Sequence, residues 1–283
     1  MAVLFGAGLI PVWSPVSAQQ AAAPPTTGVT ISGEYGPFLP TDISVDGHQI
    51  DNLIHVLHVF MGILFIGWGA FFVYCLVQYR ARSGHAASSV LGKAKASKYS
   101  EIAVAIFEAV LLFGFAIPVW GRVKSDIPTD NPLRVRVLGE QFAWNFHYPG
   151  ADGQFGRIDP KLVDTATNVM GLVREGHGAD DVVSGELHVV EGKPVIAEIS
   201  SKDVIHSFFV PVLRVKQDAV PGMRVPVWFR TRPSTKGVYE VACAQLCGNN
   251  HYSMRALMYV DTQQEFDAWF AKKIAPPKEF EED

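Results

Sequence analysis

Cysteine is scarce in this sequence, with only Cys75, Cys243 and Cys247 among 283 residues. Three are too few for the disulfide framework that staples small exported domains. No Cys-x-x-Cys-His occurs, which excludes a covalently attached haem of the c type. No Lys/Arg cluster with interleaved aromatics is present, and 24 basic residues stand against 28 acidic ones for a net charge of −4. Such a chain lacks a stripe able to track a phosphate backbone, so no nucleic-acid partner is expected. Acidic residues are missing altogether from 80–100, and charge of either sign is nearly missing from two long stretches before residue 121.

Those two stretches are the first positive signal. Leu53 to Val77 is almost entirely apolar or small, and Ile102 to Trp120 carries one charge, Glu108. At about 1.5 Å per helical residue, each is long enough to cross a hydrocarbon core of roughly 30 Å. Helices over about 53–77 and 102–120 are therefore expected, forming a transmembrane hairpin within 50–120. The segment between them holds Arg80, Arg82, Lys93, Lys95 and Lys98. The positive-inside rule puts that segment in the cytoplasm and both chain ends outside. Residues 1–18, a short apolar core ending in Val16-Ser17-Ala18, read as a removed signal peptide, and 19–49 as an extended lead-in without periodicity.

After Pro132 the pattern changes to period two, with Leu133, Val135 and Val137 alternating with Arg134 and Arg136. Similar runs at Pro194–Ser200, Arg224–Arg230, Val238–Ala242 and Arg255–Val260, separated by turns such as Pro221-Gly222 and Lys236-Gly237, predict an antiparallel β-sandwich or barrel over 121–262. Residues 150–187, rich in Gly and Asp, read as a long surface insertion, and 263–283 as a tail with a short amphipathic helix around Phe266, Trp269 and Phe270.

The chemistry concentrates near the C-terminus, in Cys243-Ala-Gln245-Leu-Cys247-Gly-Asn-Asn-His251-Tyr-Ser-Met254, with His206 upstream in Asp203-Val-Ile-His206-Ser. Two thiolates, two imidazoles and a thioether form a soft donor set suited to copper. If both cysteines bridge two coppers, each metal takes one His, with Met254 an outer ligand to one and a main-chain carbonyl, that of Gln245, to the other. A Cys243–Cys247 disulfide and a structural zinc site are the alternatives. Neither uses Met254.

These residues, together with Val215-Lys216-Gln217-Asp218-Ala219 and Pro221-Gly222, resemble cytochrome c oxidase subunit II over roughly residues 40–262. The resemblance implies a cupredoxin-like Greek-key domain and a binuclear copper centre of the CuA type, with His206, Cys243, Gln245, Cys247, His251 and Met254 as ligands. It implies a bacterial inner-membrane protein with a periplasmic C-terminal domain, partnered by subunit I, which carries the haems, and by subunit III. Electrons would come from cytochrome c or another periplasmic donor. Three positions depart from the family pattern. Gln245 stands where the family has Glu, so the magnesium ion that this carboxylate serves is not implied for this chain. Phe142 stands where the family has the Trp that accepts electrons, which leaves Phe142 and Trp144 as candidates. In the second helix the family often runs Glu-x-x-Trp-Thr-x-x-Pro, whereas this chain reads Glu101-Ile-Ala-Val104-Ala105-Ile-Phe-Glu108: Glu101 matches a position at the mouth of a proton pathway, and Glu108 matches nothing.

His55 and His58 share a face near the outer end of the first helix, where a partner or interfacial contact is the expected role, and Cys75 reads as a packed thiol. Between Pro132 and Asp261 basic and acidic residues balance, so bulk charge marks no acidic docking face. Two other functions share the copper loop: the CuA subunit of a nitric oxide reductase, and a membrane-tethered copper carrier or sensor.

Overall fold

A computed structural model describes residue 32, residues 39–84 and residues 95–274. The expected signal segment, most of the lead-in, Lys93 and residues 275–283 lie outside the described residues. Helix α1 spans Gly47–Gln78. A second long helix consists of α2 (Lys95–Leu111), a π-helical turn (Leu112–Ala116) and α3 (Ile117–Ser125). Both are long and apolar enough to cross a membrane. Both outrun the expected 53–77 and 102–120, because helical hydrogen bonding does not stop where the apolar run ends. The second helix continues past Pro118. Proline has no N–H and its ring crowds the carbonyl four residues back, and the wider π turn just before it accommodates both. The two helices touch through Phe60 and Phe107, whose ring centroids are 4.2 Å apart. Their outer faces stay apolar and bare, with Phe65 81% exposed.

The rest forms two five-stranded sheets. One has β3 (Val182–Ser184), β2 (Ala143–Tyr148), β1 (Leu133–Glu140), β5 (Pro194–Ser201) and β8 (Val225–Arg230) in that order. The other has β4 (Leu187–Val190), β10 (Arg255–Asp261), β9 (Gly237–Cys243), β6 (His206–Val210) and β7 (Val215–Ala219). Alternation does what period two demands: Val135, Val137, Ala197 and Ile199 point into a shared core with Phe208, Val241 and Met258. The sandwich is not wholly antiparallel. β1 pairs with β5 and β4 with β10 in parallel, each across a long connection that hydrophobic period cannot report.

Residues 150–187 are more ordered than a surface loop. Met170 and Leu172 are buried, and Asp181 accepts hydrogen bonds from the Gly150 and Gly156 amides and from His147. Helix α4 (Gln263–Ile274) is likewise part of the domain, since Phe266, Trp269 and Phe270 all pack against Tyr148. The described end of the lead-in is pinned too. Ile43 is buried, its amide bonded to Val212, while Val45 bonds Arg230. The sandwich is tied to the helix ends by the two-pronged Arg214–Asp51 ion pair (2.7 and 2.9 Å) and by Lys124 donating to Gln217 (2.7 Å). Gln217 lies on β7 beside β6, so these ties hold the His206 strand near the membrane-facing end of the domain.

Candidate metal centre

His206 opens β6, Cys243 closes β9, and β6 and β9 are paired through Phe208 and Cys243. Pairing alone brings the distant histidine beside the first cysteine. The loop from 244 to 254 then folds back on the strand ends. The Cys243 amide donates to the Met254 carbonyl (3.1 Å), Ala244 to Ser207 (3.0 Å), His251 to Gly248 (3.2 Å) and Met254 to His251 (3.1 Å). Gly248 makes the turn at φ 142, which side-chain-bearing residues rarely adopt. A Cβ there would sit 2.7 Å from Gln141 Nε2 and 2.9 Å from Phe142 Cζ, so the loop lies directly on the β1–β2 turn.

The donor atoms converge. One ligand atom each from His206, Cys243 and Cys247 lies within 4.8 Å of the others. The two sulfurs are 3.8 Å apart, well beyond the roughly 2.05 Å of a disulfide. From Cys247 Sγ, His251 Nδ1 is 3.6 Å away and Met254 Sδ 3.7 Å. The Gln245 carbonyl accepts from Cys243 Sγ at 3.2 Å, while its side chain is exposed. All six expected ligand positions are thus gathered in one place, and every donor needed from Gln245 is main-chain.

Electrostatics favour a cation here. Burial pushes the Cys243 thiol up, but hydrogen bonds from His206 and from the Ser207 and Gln245 backbone overcome it and bring it down to about 6. Burial and the neighbouring Cys243 charge push Cys247 up to about 12. One proton leaves this pair readily and the second does not, because two thiolates at 3.8 Å repel unless a cation lies between them. For His206, burial lowers the pKa and its bonds to Cys243 and Asp203 raise it, the net direction being up.

The other site residues fall in different places. Trp144 is 1% exposed, its ring edge-on to His206 (6.0 Å) and Phe208 (5.6 Å). It lies inside the core beside His206. Phe142 is half-buried against the Cys247–Gly248 turn and reaches the surface. Glu101 is far from this cluster on α2, where its carboxylate accepts from the Ser97 hydroxyl (3.1 Å). Glu108 is exposed, as is His55, and His58 bonds only the Ile54 carbonyl of its own helix (2.8 Å). Two residues that the sequence reading gave no part in holding the ligands do so here. Asp203 accepts from His206 Nε2 (2.8 Å) and from the Gln141 amide (2.7 Å), while Gln141 Nε2 donates to the Cys247 carbonyl (2.5 Å). The three-residue spacing of Asp203 and His206 was a readable hint. Nothing in sequence marks Gln141.

Residues 133–260 match the family described as cytochrome C oxidase subunit II, periplasmic domain. The alternative cytochrome c oxidase subunit 2 of Bradyrhizobium diazoefficiens is 34% identical over 242 residues, taking in 84% of this chain and 85% of that protein. The chain belongs to the cytochrome c oxidase subunit II family. The subunit 2 of Synechocystis sp. is 36% identical over 149 residues, 53% of this chain but 36% of that protein. The solved periplasmic domain of subunit II of cytochrome oxidase from Bradyrhizobium japonicum aligns at 25% identity over 52% of this chain and 96% of that one, with a TM-score of 0.38.

A subunit II of a haem-copper oxidase implies copper, and the donors fit it. Both cysteines are free, and the sulfur spacing is one that a metal at roughly 2.3 Å from each can span. His206 is fully buried with Nε2 engaged by Asp203, which leaves Nδ1 as the nitrogen toward Cys243, and this is how a ligating imidazole is oriented by a carboxylate behind it.

Proposed function

We propose that this subunit accepts single electrons from a periplasmic donor, cytochrome c or a similar protein, at a binuclear copper centre. It then passes them to the haem of subunit I, where oxygen is reduced to water with proton translocation. The ligands are His206, Cys243, the Gln245 carbonyl, Cys247, His251 and Met254. One observation carries this reading: two unbonded cysteine sulfurs 3.8 Å apart, flanked by two imidazoles and a thioether within one loop and its neighbouring strand. Copper held by the Cys243 and Cys247 thiolates would supply one-electron redox chemistry. The chain's own residues supply the rigidity. Asp203 and Gln141 fix His206 and Cys247 from behind, and the Cys243–Met254 backbone bond closes the loop, so the donors do not relax when charge changes. Half-buried Phe142, on the β1–β2 turn, lies between the surface and the Cys247 turn and is the electron-acceptance point. Trp144 supports His206 from inside.

The two apolar helices anchor the domain in the inner membrane with the sandwich in the periplasm, and their bare faces meet subunit I and lipid. At the opposite end of α2 from the sandwich, Glu101 takes up protons for subunit I. The test is rapid mixing of the assembled oxidase with a reduced cytochrome. The wild-type complex transfers electrons to haem, whereas a Cys247→Ser complex that retains its haems does not. Unimpaired transfer in that variant would end the proposal.

A further inference from the structure

A cavity of about 460 Å³ lies on the outer face of the first sheet, roofed by the 150–187 insertion and lined by none of the proposed metal ligands. Its size falls within the roughly 300–1,000 Å³ usual for small-molecule sites. Its walls are mixed in a particular way. Leu138, Ile158, Val163, Val169 and Met170 give an apolar body, and Arg136, Lys202 and Arg224 bring cations to it against one carboxylate, Glu198.

Glu198 is already committed. Its two oxygens accept from Arg134 (2.7 Å) and from Arg136 Nε (3.1 Å). Arg136 is mostly buried and stacked over Phe155 of the insertion, its guanidinium carbon 4.1 Å from the ring centre. It spends only Nε on Glu198, so its terminal amino groups are not taken by that carboxylate. Lys202 is satisfied by Glu140 (2.6 Å). Arg224 has no carboxylate within ion-pair distance among the described residues. Two arginines therefore share a single carboxylate, and Arg224 lines the same cavity without one. Burial, and to a lesser degree the nearby Arg224 and Arg134 charges, pull Arg136 below its ordinary pKa despite its bond to Glu198.

We propose that this cavity binds a small organic anion with an apolar body, a carboxylate-bearing amphiphile, whose head meets Arg136 and Arg224 and whose tail lies against Val163, Val169 and Met170. The geometry selects against the two halves taken separately. An inorganic or short anion gains no apolar contact, and a neutral amphiphile leaves the arginines unanswered. Binding here does not depend on the copper reading.

The test uses the full-length chain in lipid nanodiscs, with empty nanodiscs subtracted, titrated with 4-phenylbutyrate and, as controls, 4-phenylbutan-1-ol and acetate. Saturable binding of phenylbutyrate is expected, with both controls weaker by about tenfold or more, a factor of ten being about 1.4 kcal/mol. Arg224→Gln, at an exposed position, should weaken phenylbutyrate about tenfold, and Val163→Trp, which fills the cavity from its rim, should abolish it. The proposal is overturned by an alcohol that binds as tightly as the acid, by unchanged affinity in Arg224→Gln, or by no saturable binding at all.

Discussion

At the scale of single residues, the centre depends on groups that never touch metal. Asp203 turns the buried His206 so that Nδ1 faces the sulfurs, and loss of such a partner typically costs 10–100-fold in metal affinity. Asp203→Ala should therefore release copper to a competing chelator about 10–100-fold more readily, while the folded domain persists. Gln245→Ala should keep its copper, because only the main-chain carbonyl faces Cys243. Loss of copper in that variant, followed by chelator competition, would mean that the side chain matters. Glu101→Ala should slow turnover and proton translocation in the assembled oxidase without altering copper content. Unchanged turnover would reduce Glu101 to a surface acid. The four ligating side chains of the 243–254 loop were legible because soft donors crowd one short segment. Gln141 was not legible, since its partner Cys247 is 106 residues away and a lone glutamine carries no pattern.

At the scale of elements, period two located β9 and β10, which flank the metal loop, but not β6, which carries His206, and the two apolar runs located the long helices. The same signal failed where both faces of a strand are covered. On β2, every residue from Trp144 to Tyr148 is buried, because the insertion covers His147 and α4 covers Tyr148. The insertion looked like a loop because its order comes from Asp side chains and glycine turns rather than from apolar period. Asp181 holds His147 and the Gly150 and Gly156 amides together. Asp181→Ala strands three donors, at about 1–3 kcal/mol for each buried unsatisfied group. Unfolding of the purified chain, followed by its β-sheet circular dichroism, should show a loss of about 3 kcal/mol or more; a change within about 0.5 kcal/mol would show that the insertion does not brace the sandwich.

At the scale of the whole molecule, the sandwich is anchored to the helix ends through Arg214–Asp51 and Lys124–Gln217, so the 243–254 loop holds a set position relative to the two apolar helices. Its stability should also depend on pH in a defined sense. Burial holds His147 below its ordinary pKa despite the bond to Asp181, with Arg136 and Arg174 adding repulsion. The unfolded chain then binds a proton that the folded chain refuses, so stability falls as pH drops below about 6.5. His206, raised in the metal-free chain, acts in the opposite direction, and ligation removes it from the balance. Unfolding midpoints of the copper-loaded chain should therefore fall from about pH 7.5 to about pH 5.5; a midpoint that rises toward acid would contradict the assignment of a neutral His147.

Everything functional rests on the two sulfurs sharing metal. Electron paramagnetic resonance of the copper-loaded full chain, with the copper counted per polypeptide, tests that most directly. The account predicts two coppers per chain and a hyperfine pattern from one unpaired electron spread equally over both. One copper with the pattern of a single nucleus, or a silent chain holding zinc or a Cys243–Cys247 disulfide, would contradict it.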